Sequence, residues 1–148
     1  MLVEIPGMPS IGAIWKEAGA TSQTAHLSNI DGDIKSFSNG EIIVREGDPP
    51  TNTMYFVISG SVNIYKAYGK SKEVLLAVLG PDSFFGEMSL FLGEYRSTTV
   101  TANGHAMIVE VNKEDMYKSM AANPSLAYSM VTTLCSRLKN MLLMLDAC

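Results

Sequence analysis

GEIIVREGDPPTNTMYFVISGSVNIY, residues 40–65, decides the fold. Its apolar residues fall in short runs rich in Ile, Val, Phe and Tyr, interrupted by Gly47-Asp48-Pro49-Pro50 and by Ser59-Gly60. β-Branched and aromatic residues suit a pleated, half-buried surface, whereas Gly, Asp and Pro suit tight turns, so the stretch predicts consecutive strands. The same texture continues on either side, in IKSF at 34–37, EVLLAVL at 73–79, STTVTAN at 97–103 and AMIVEVN at 106–112. With further turn signals at Ser38-Asn39-Gly40 and Asn103-Gly104, the pattern predicts seven or eight short antiparallel strands. No long helical pattern intervenes, which points to a mainly β domain with flanking helices, a sandwich or jelly-roll barrel.

Past Asn112 the period changes. Asn112 before Lys113-Glu114-Asp115 reads as a capped helix start, Asn123-Pro124 as a break, and Pro124 to about Leu145 as a second, longer helix. In that helix Val131, Leu134, Leu138, Met141 and Leu145 recur at alternating spacings of three and four, the pattern of a two-stranded coiled-coil seam. The helix therefore either docks on its own sheet or joins two copies of the chain. Residues 1–33 read as a loosely helical lead-in around Ile14, Trp15 and Ala18, residues 34–112 as the β-roll, and residues 113–148 as C-terminal helices that cover it or dimerise.

Composition narrows the function. A chain of 148 residues, 47% hydrophobic, fills one core without disulfides. A net charge of −4 gives no field for a polyanion, so nucleic acid is not an expected partner. Cys135 and Cys148 lack metal-ligand spacing and indicate a cytosolic protein, with Cys135 read as a small buried hydrophobe. The N-terminus carries no signal-peptide pattern, and the apolar cluster at 141–145 is too short to span a bilayer. His26 and His105 stand alone, so neither a metal nor the histidine-rich site of a metal-dependent jelly-roll enzyme is expected. No nucleophile has an adjacent base, and no catalysis or cofactor is expected.

The chemistry concentrates in FFGEMSLFLGEYRSTTV, residues 84–100. Phe84-Phe85 ends a strand, Gly86 permits close backbone approach, and a short helix from Glu87 to Leu92 stops at Gly93. Arg96, among apolar neighbours, needs an anion. It either pairs with Glu87 or Glu94, or offers two parallel donors to a bound anion near the helix start. Glu87, an acceptor only, suits a sugar hydroxyl beside that anion. Strand alternation places Ser97 and Thr99 on one face and Thr98 on the other.

Together, residues 40–65 and 84–100 resemble the cyclic nucleotide-binding domain of catabolite-activator-like transcription factors, cyclic-nucleotide-dependent kinases and gated channels. The resemblance runs from about Ile34 to the end of the chain. It implies a non-catalytic regulatory module that binds cAMP or cGMP and signals through its C-terminal helix. By that resemblance Gly86 gives a backbone amide, Glu87 takes the ribose 2′-hydroxyl, Arg96 pairs with the phosphate, and Ser97 and the Thr98 amide complete the cradle. Ile64, Leu76 and Leu79 align with strand positions that line the base, positions any β-barrel would also bury. Thr98 departs from the family's usual alanine. In the last helix Met141 and Leu142 fall where relatives carry hydroxyl side chains, so base recognition there is expected to be apolar. No DNA-reading element follows the helix, which suggests a free-standing sensor acting on a partner protein, or a fragment of something longer. The alternative reading is a degenerate relative that keeps the fold as a dimerisation scaffold and binds no nucleotide.

Overall fold

A computed structural model describes residues 30–146. Of the lead-in read for residues 1–33, residues 1–29 lie outside them, and its last residue, Asp33, already belongs to the first strand. The described chain forms β1 (Asp33–Phe37), β2 (Ile42–Val44), β3 (Thr53–Lys66), β4 (Val74–Leu79), β5 (Phe84–Phe85), α1 (Glu87–Leu92), β6 (Thr99–Asn112), α2 (Lys113–Ala122) and α3 (Pro124–Asp146). The strands make one antiparallel sheet with β6 and β3 paired at its centre.

The expected seven or eight strands are six, because two of the predicted turns are bends inside strands. Ser59-Gly60 and Asn103-Gly104 do not reverse the chain, and β3 and β6 each run for 14 residues straight through them. The pairing Ser59↔Met107 gives way to Ser61↔Asn103, so β6 holds three residues opposite the single Gly60. Gly60 and Gly104 both take positive φ, 76° and 72°. A Cβ on Gly60 would lie 2.2 Å from the His105 carbonyl oxygen, so only glycine lets the bulged strand fold over it. The bend divides the sheet into two halves that share their central strands. In one half β1 pairs with 106–110 of β6 and β5 with 55–56 of β3; in the other β2 pairs near 100–101 and β4 with 62–66.

Side-chain alternation then builds two cores. Met54, Phe56, Val109 and Val111 meet Leu90 of α1, Met116 of α2, and Leu126 and Met130 of α3. Tyr55, Val57, Ala106 and Ile108, one residue out of phase, pack inside the roll with Val62, Leu79, Phe85 and Val100. The helix boundaries follow the local chemistry. The Asn112 side chain accepts from the Asp115 amide at 2.8 Å, capping α2, and α3 opens on Pro124, whose missing N–H and fixed φ suit a first helical position.

Leu134, assigned to the seam by spacing, packs against the helix-side core. Cys135 is exposed, contrary to its reading as a buried hydrophobe, because it lies on the outer face of α3. No described helix is long and apolar enough to cross a membrane.

Candidate functional site

The inside of the roll opens into a pocket of about 420 Å³, bounded by β2, β4, α1, the Arg96–Val100 segment and α3. That volume lies within the usual range for a small-molecule site. At its floor, β5 ends at Phe85 and Gly86 turns the chain with φ 80° into the short helix α1, which Gly93 closes in the same left-handed conformation. A Cβ on Gly86 would come within 2.9 Å of Arg96 and 3.2 Å of Tyr55, so the glycine makes room for the guanidinium.

Arg96 is 6% exposed and reaches the pocket wall. It pairs with neither Glu87 nor Glu94. Its terminal nitrogens donate to the Thr53 and Gly86 carbonyls, at 3.2 Å each, and to the hydroxyls of Thr51, at 2.7 Å, and Thr53, at 3.0 Å. The guanidinium also lies over the Tyr55 ring, 5.5 Å from its centroid. All of these partners are neutral. Of the two readings left open by the sequence, the ion pair with Glu87 or Glu94 is not formed: the donors meet neutral acceptors, and among the described residues no carboxylate balances the charge. A buried cation held only by neutral dipoles is an unfinished electrostatic arrangement.

Beside Arg96, Ser97 and Thr98 both line the pocket, whereas Thr99 is buried and accepts from the Glu46 amide at 3.0 Å. The alternation expected across 97–99 fails because β6 begins only at Thr99. The backbone of this segment is braced from two sides. Arg96 exchanges backbone bonds with Gly47 and Asp48, and Lys66 donates to the Ser97 carbonyl while pairing with Glu46. Bonds from the Ala67 amide and Lys66 hold the Glu46 carboxyl below its ordinary pKa.

Glu87 faces the pocket and pairs with Arg137 of α3, Oε1 to NH1 at 2.8 Å. The second terminal nitrogen of Arg137 donates to the Phe84 carbonyl at 3.0 Å, and the guanidinium stacks over the Phe84 ring at 4.6 Å. Burial pulls the Arg137 pKa down and the Glu87 carboxylate opposes that pull. This pair fastens the last helix to the start of α1.

Ile64, Leu76, Leu79 and Met141 line the pocket. Leu142 does not. One residue beyond Met141, its side chain is turned through about 100° on the helix and lies outside the lining. The face that does meet the pocket is Arg137, Asn140, Met141 and Met144, at i, i+3, i+4 and i+7. Arg137, Asn140 and Met144 went unread in the sequence, although extending that spacing outward from Met141 finds all three. Thr51 and Thr53 left no such signal, because they reach Arg96 only through the fold.

The described chain is thus a β-roll with a glycine-floored pocket, a buried arginine on the pocket wall and a covering helix. The family comparison names it: the cyclic nucleotide-binding domain model matches residues 34–123, and the chain belongs to that family. Among curated relatives, it is 33% identical over 99 residues to a cAMP-activated global transcriptional regulator from Haemophilus influenzae, covering 66% of this chain and 44% of that one. It is 28% identical over 103 residues to a CRP-like cAMP-activated global transcriptional regulator from Mycobacterium tuberculosis, covering 70% and 46%. The matches thus span less than half the length of these two relatives. Among solved structures, the Thermus thermophilus catabolite activator protein superimposes with a TM-score of 0.76 at 27% identity, covering 90% of this chain and 62% of that chain.

Proposed function

We propose that the chain is a non-catalytic regulatory module that binds a purine 3′,5′-cyclic nucleotide, cAMP or cGMP, in this pocket. The observation that carries the reading is Arg96, a buried guanidinium on the pocket wall with only neutral partners. A cyclic phosphate would supply the missing negative charge, drawing the guanidinium from its threonine acceptors, with Ser97, Thr98 and the backbone at Gly86 around it. Glu87, steered by Arg137, would accept a ribose hydroxyl, and the base would lie between β4 and α3 against Ile64, Leu76 and Leu79. Because α3 contributes both Arg137 and the pocket-facing methionines, occupancy would shift the position of that helix.

The output runs through α3 to a second copy of the chain or to an effector protein in the cytosol. Leu134 packs on the core, and Met141, although exposed, borders the pocket. Among the exposed residues of α3, Val131, Cys135, Leu138, Leu142 and Leu145 are spaced four, three, four and three, a seam one step round the helix from the one read in the sequence.

Calorimetric titration with cAMP and cGMP tests the reading. The parent is expected to bind at least one of them, Arg96→Lys to bind more weakly, and Arg96→Ala to lose binding while still melting cooperatively. Binding by Arg96→Ala equal to that of the parent refutes the phosphate role. A parent that binds neither nucleotide leaves the scaffold alternative.

A further inference from the structure

Methionine is distributed unevenly over the described residues. Met54, Met116 and Met130 are fully buried in the helix-side core, and Met107 and Met120 are partly covered. The three that are exposed, Met88, Met141 and Met144, at 49%, 63% and 46%, all line the pocket. They come from two elements, Met88 from the first turn of α1 and the other two from near the end of α3. They also stand beside the contact that ties those elements together: Met88 follows Glu87, and Met141 lies one turn beyond Arg137, the partner of Glu87. Solvent therefore reaches three thioethers where α1 and α3 meet over the pocket.

We infer that Met88, Met141 and Met144 form a modification site, at which a small hydroperoxide turns the rim of the pocket from apolar to polar and loosens α3. Each thioether sulfur attacks one peroxide oxygen, the O–O bond breaks and an S–O bond forms. With hydrogen peroxide, the second oxygen leaves as water, taking both protons. Sulfur gives up two electrons and the peroxide takes them, leaving methionine sulfoxide, which methionine sulfoxide reductases reverse. The reaction needs access to sulfur, which the three core methionines lack. A thioether is a weak acceptor and a sulfoxide oxygen a strong, polar one. On Met88 or Met141 that oxygen competes with Glu87 for Arg137, and on Met144 it puts a dipole into the apolar wall that Leu76 and Ala77 share. The effect on nucleotide binding rests on the proposed function, whereas the effect on α3 does not.

The test treats the full chain with hydrogen peroxide and maps sulfoxides by peptide mass spectrometry. Binding of cAMP and cGMP and amide hydrogen exchange in α3 are measured before and after. Met88, Met141 and Met144 are expected to oxidise ahead of Met54, Met116 and Met130. Oxidation should weaken nucleotide binding roughly tenfold and quicken exchange around Arg137. Methionine sulfoxide reductases should reverse both effects and a thiol reductant alone should not, which separates them from oxidation of Cys135 and Cys148. A chain carrying Met88→Leu, Met141→Leu and Met144→Leu, compared only with itself before and after peroxide, should change by less than about twofold. Oxidation of the core methionines first, recovery by the thiol reductant alone, or a triple variant that responds as the parent does overturns the inference. So does unchanged exchange in α3, or unchanged affinity in a parent that binds a nucleotide. If the untreated parent binds neither nucleotide, the proposed function falls, and exchange in α3 by itself decides for or against the modification site.

Discussion

Cutting the ion pair between Glu87 and Arg137 tests how firmly the last helix is tied to the pocket. Arg137→Met keeps the apolar stem but removes the charge, the bond to the Phe84 carbonyl and the stacking on the Phe84 ring. The side chains are 22% and 13% exposed, which places the pair between a buried and a surface one. Removing one partner of a buried pair costs about 3–5 kcal/mol, and exposed pairs are worth less than about 1. Arg137→Met is therefore expected to lose about 2–3 kcal/mol, since partial exposure lets water reach the Glu87 carboxylate left behind. Glu87→Gln retains an oxygen acceptor and should lose only about 1–2 kcal/mol. In the double variant no charge is stranded, so its loss should fall short of the sum of the single losses by about 1 kcal/mol or more. Urea unfolding of all four proteins, followed by far-ultraviolet circular dichroism, gives these differences directly. Single variants within about 0.5 kcal/mol of the parent, or strict additivity, would show that the contact does not hold α3 in place.

Two further outcomes follow from the bend and the brace. Gly60→Ala forces a Cβ to 2.2 Å from the His105 carbonyl at a φ of 76°, and should destabilise the domain by about 3 kcal/mol or more or prevent folding; a melting temperature equal to the parent's contradicts the bend as described. Glu46 has its folded-state pKa lowered from 4.5, so the stability it contributes is present above 4.5 and is lost as pH falls through the folded value. Glu46→Gln should flatten that part of the acid-unfolding profile, and an unchanged profile would mean that its bonds to Ala67 and Lys66 do not form in solution.

What was legible in the sequence is what is local in the chain. The segment from Phe84 to Thr98 carries its own turn glycines, helix formers and arginine, so the pocket floor could be read without knowing the fold. The capped start at Asn112 and the opening at Pro124 were legible for the same reason. Gly60 and Gly104 were misread because a glycine at positive φ serves a hairpin turn and a strand bulge equally well, and only the partner strand decides between them. Leu142 failed for a related reason: it was placed by the resemblance, whereas the rotation of the helix against the pocket is fixed by Arg137 meeting Glu87, 50 residues away. The two threonines in the neutral collar of Arg96 stand more than forty positions from it, and neither looks unusual where it stands.

Because β3 and β6 pass unbroken from one half of the sheet to the other, the domain has something like a reading frame. Adding or deleting one residue at the bend of either strand would turn the outgoing side chains over, sending Ile64 of β3 away from the pocket or Ile108 of β6 out of the roll interior, and disrupting both cores at once. The connection at 67–73, which joins β3 to β4 at an edge of the sheet, is under no such constraint. Length variation among natural or engineered versions of this domain should collect there, and the two glycine bends should hold their distance from the arginine.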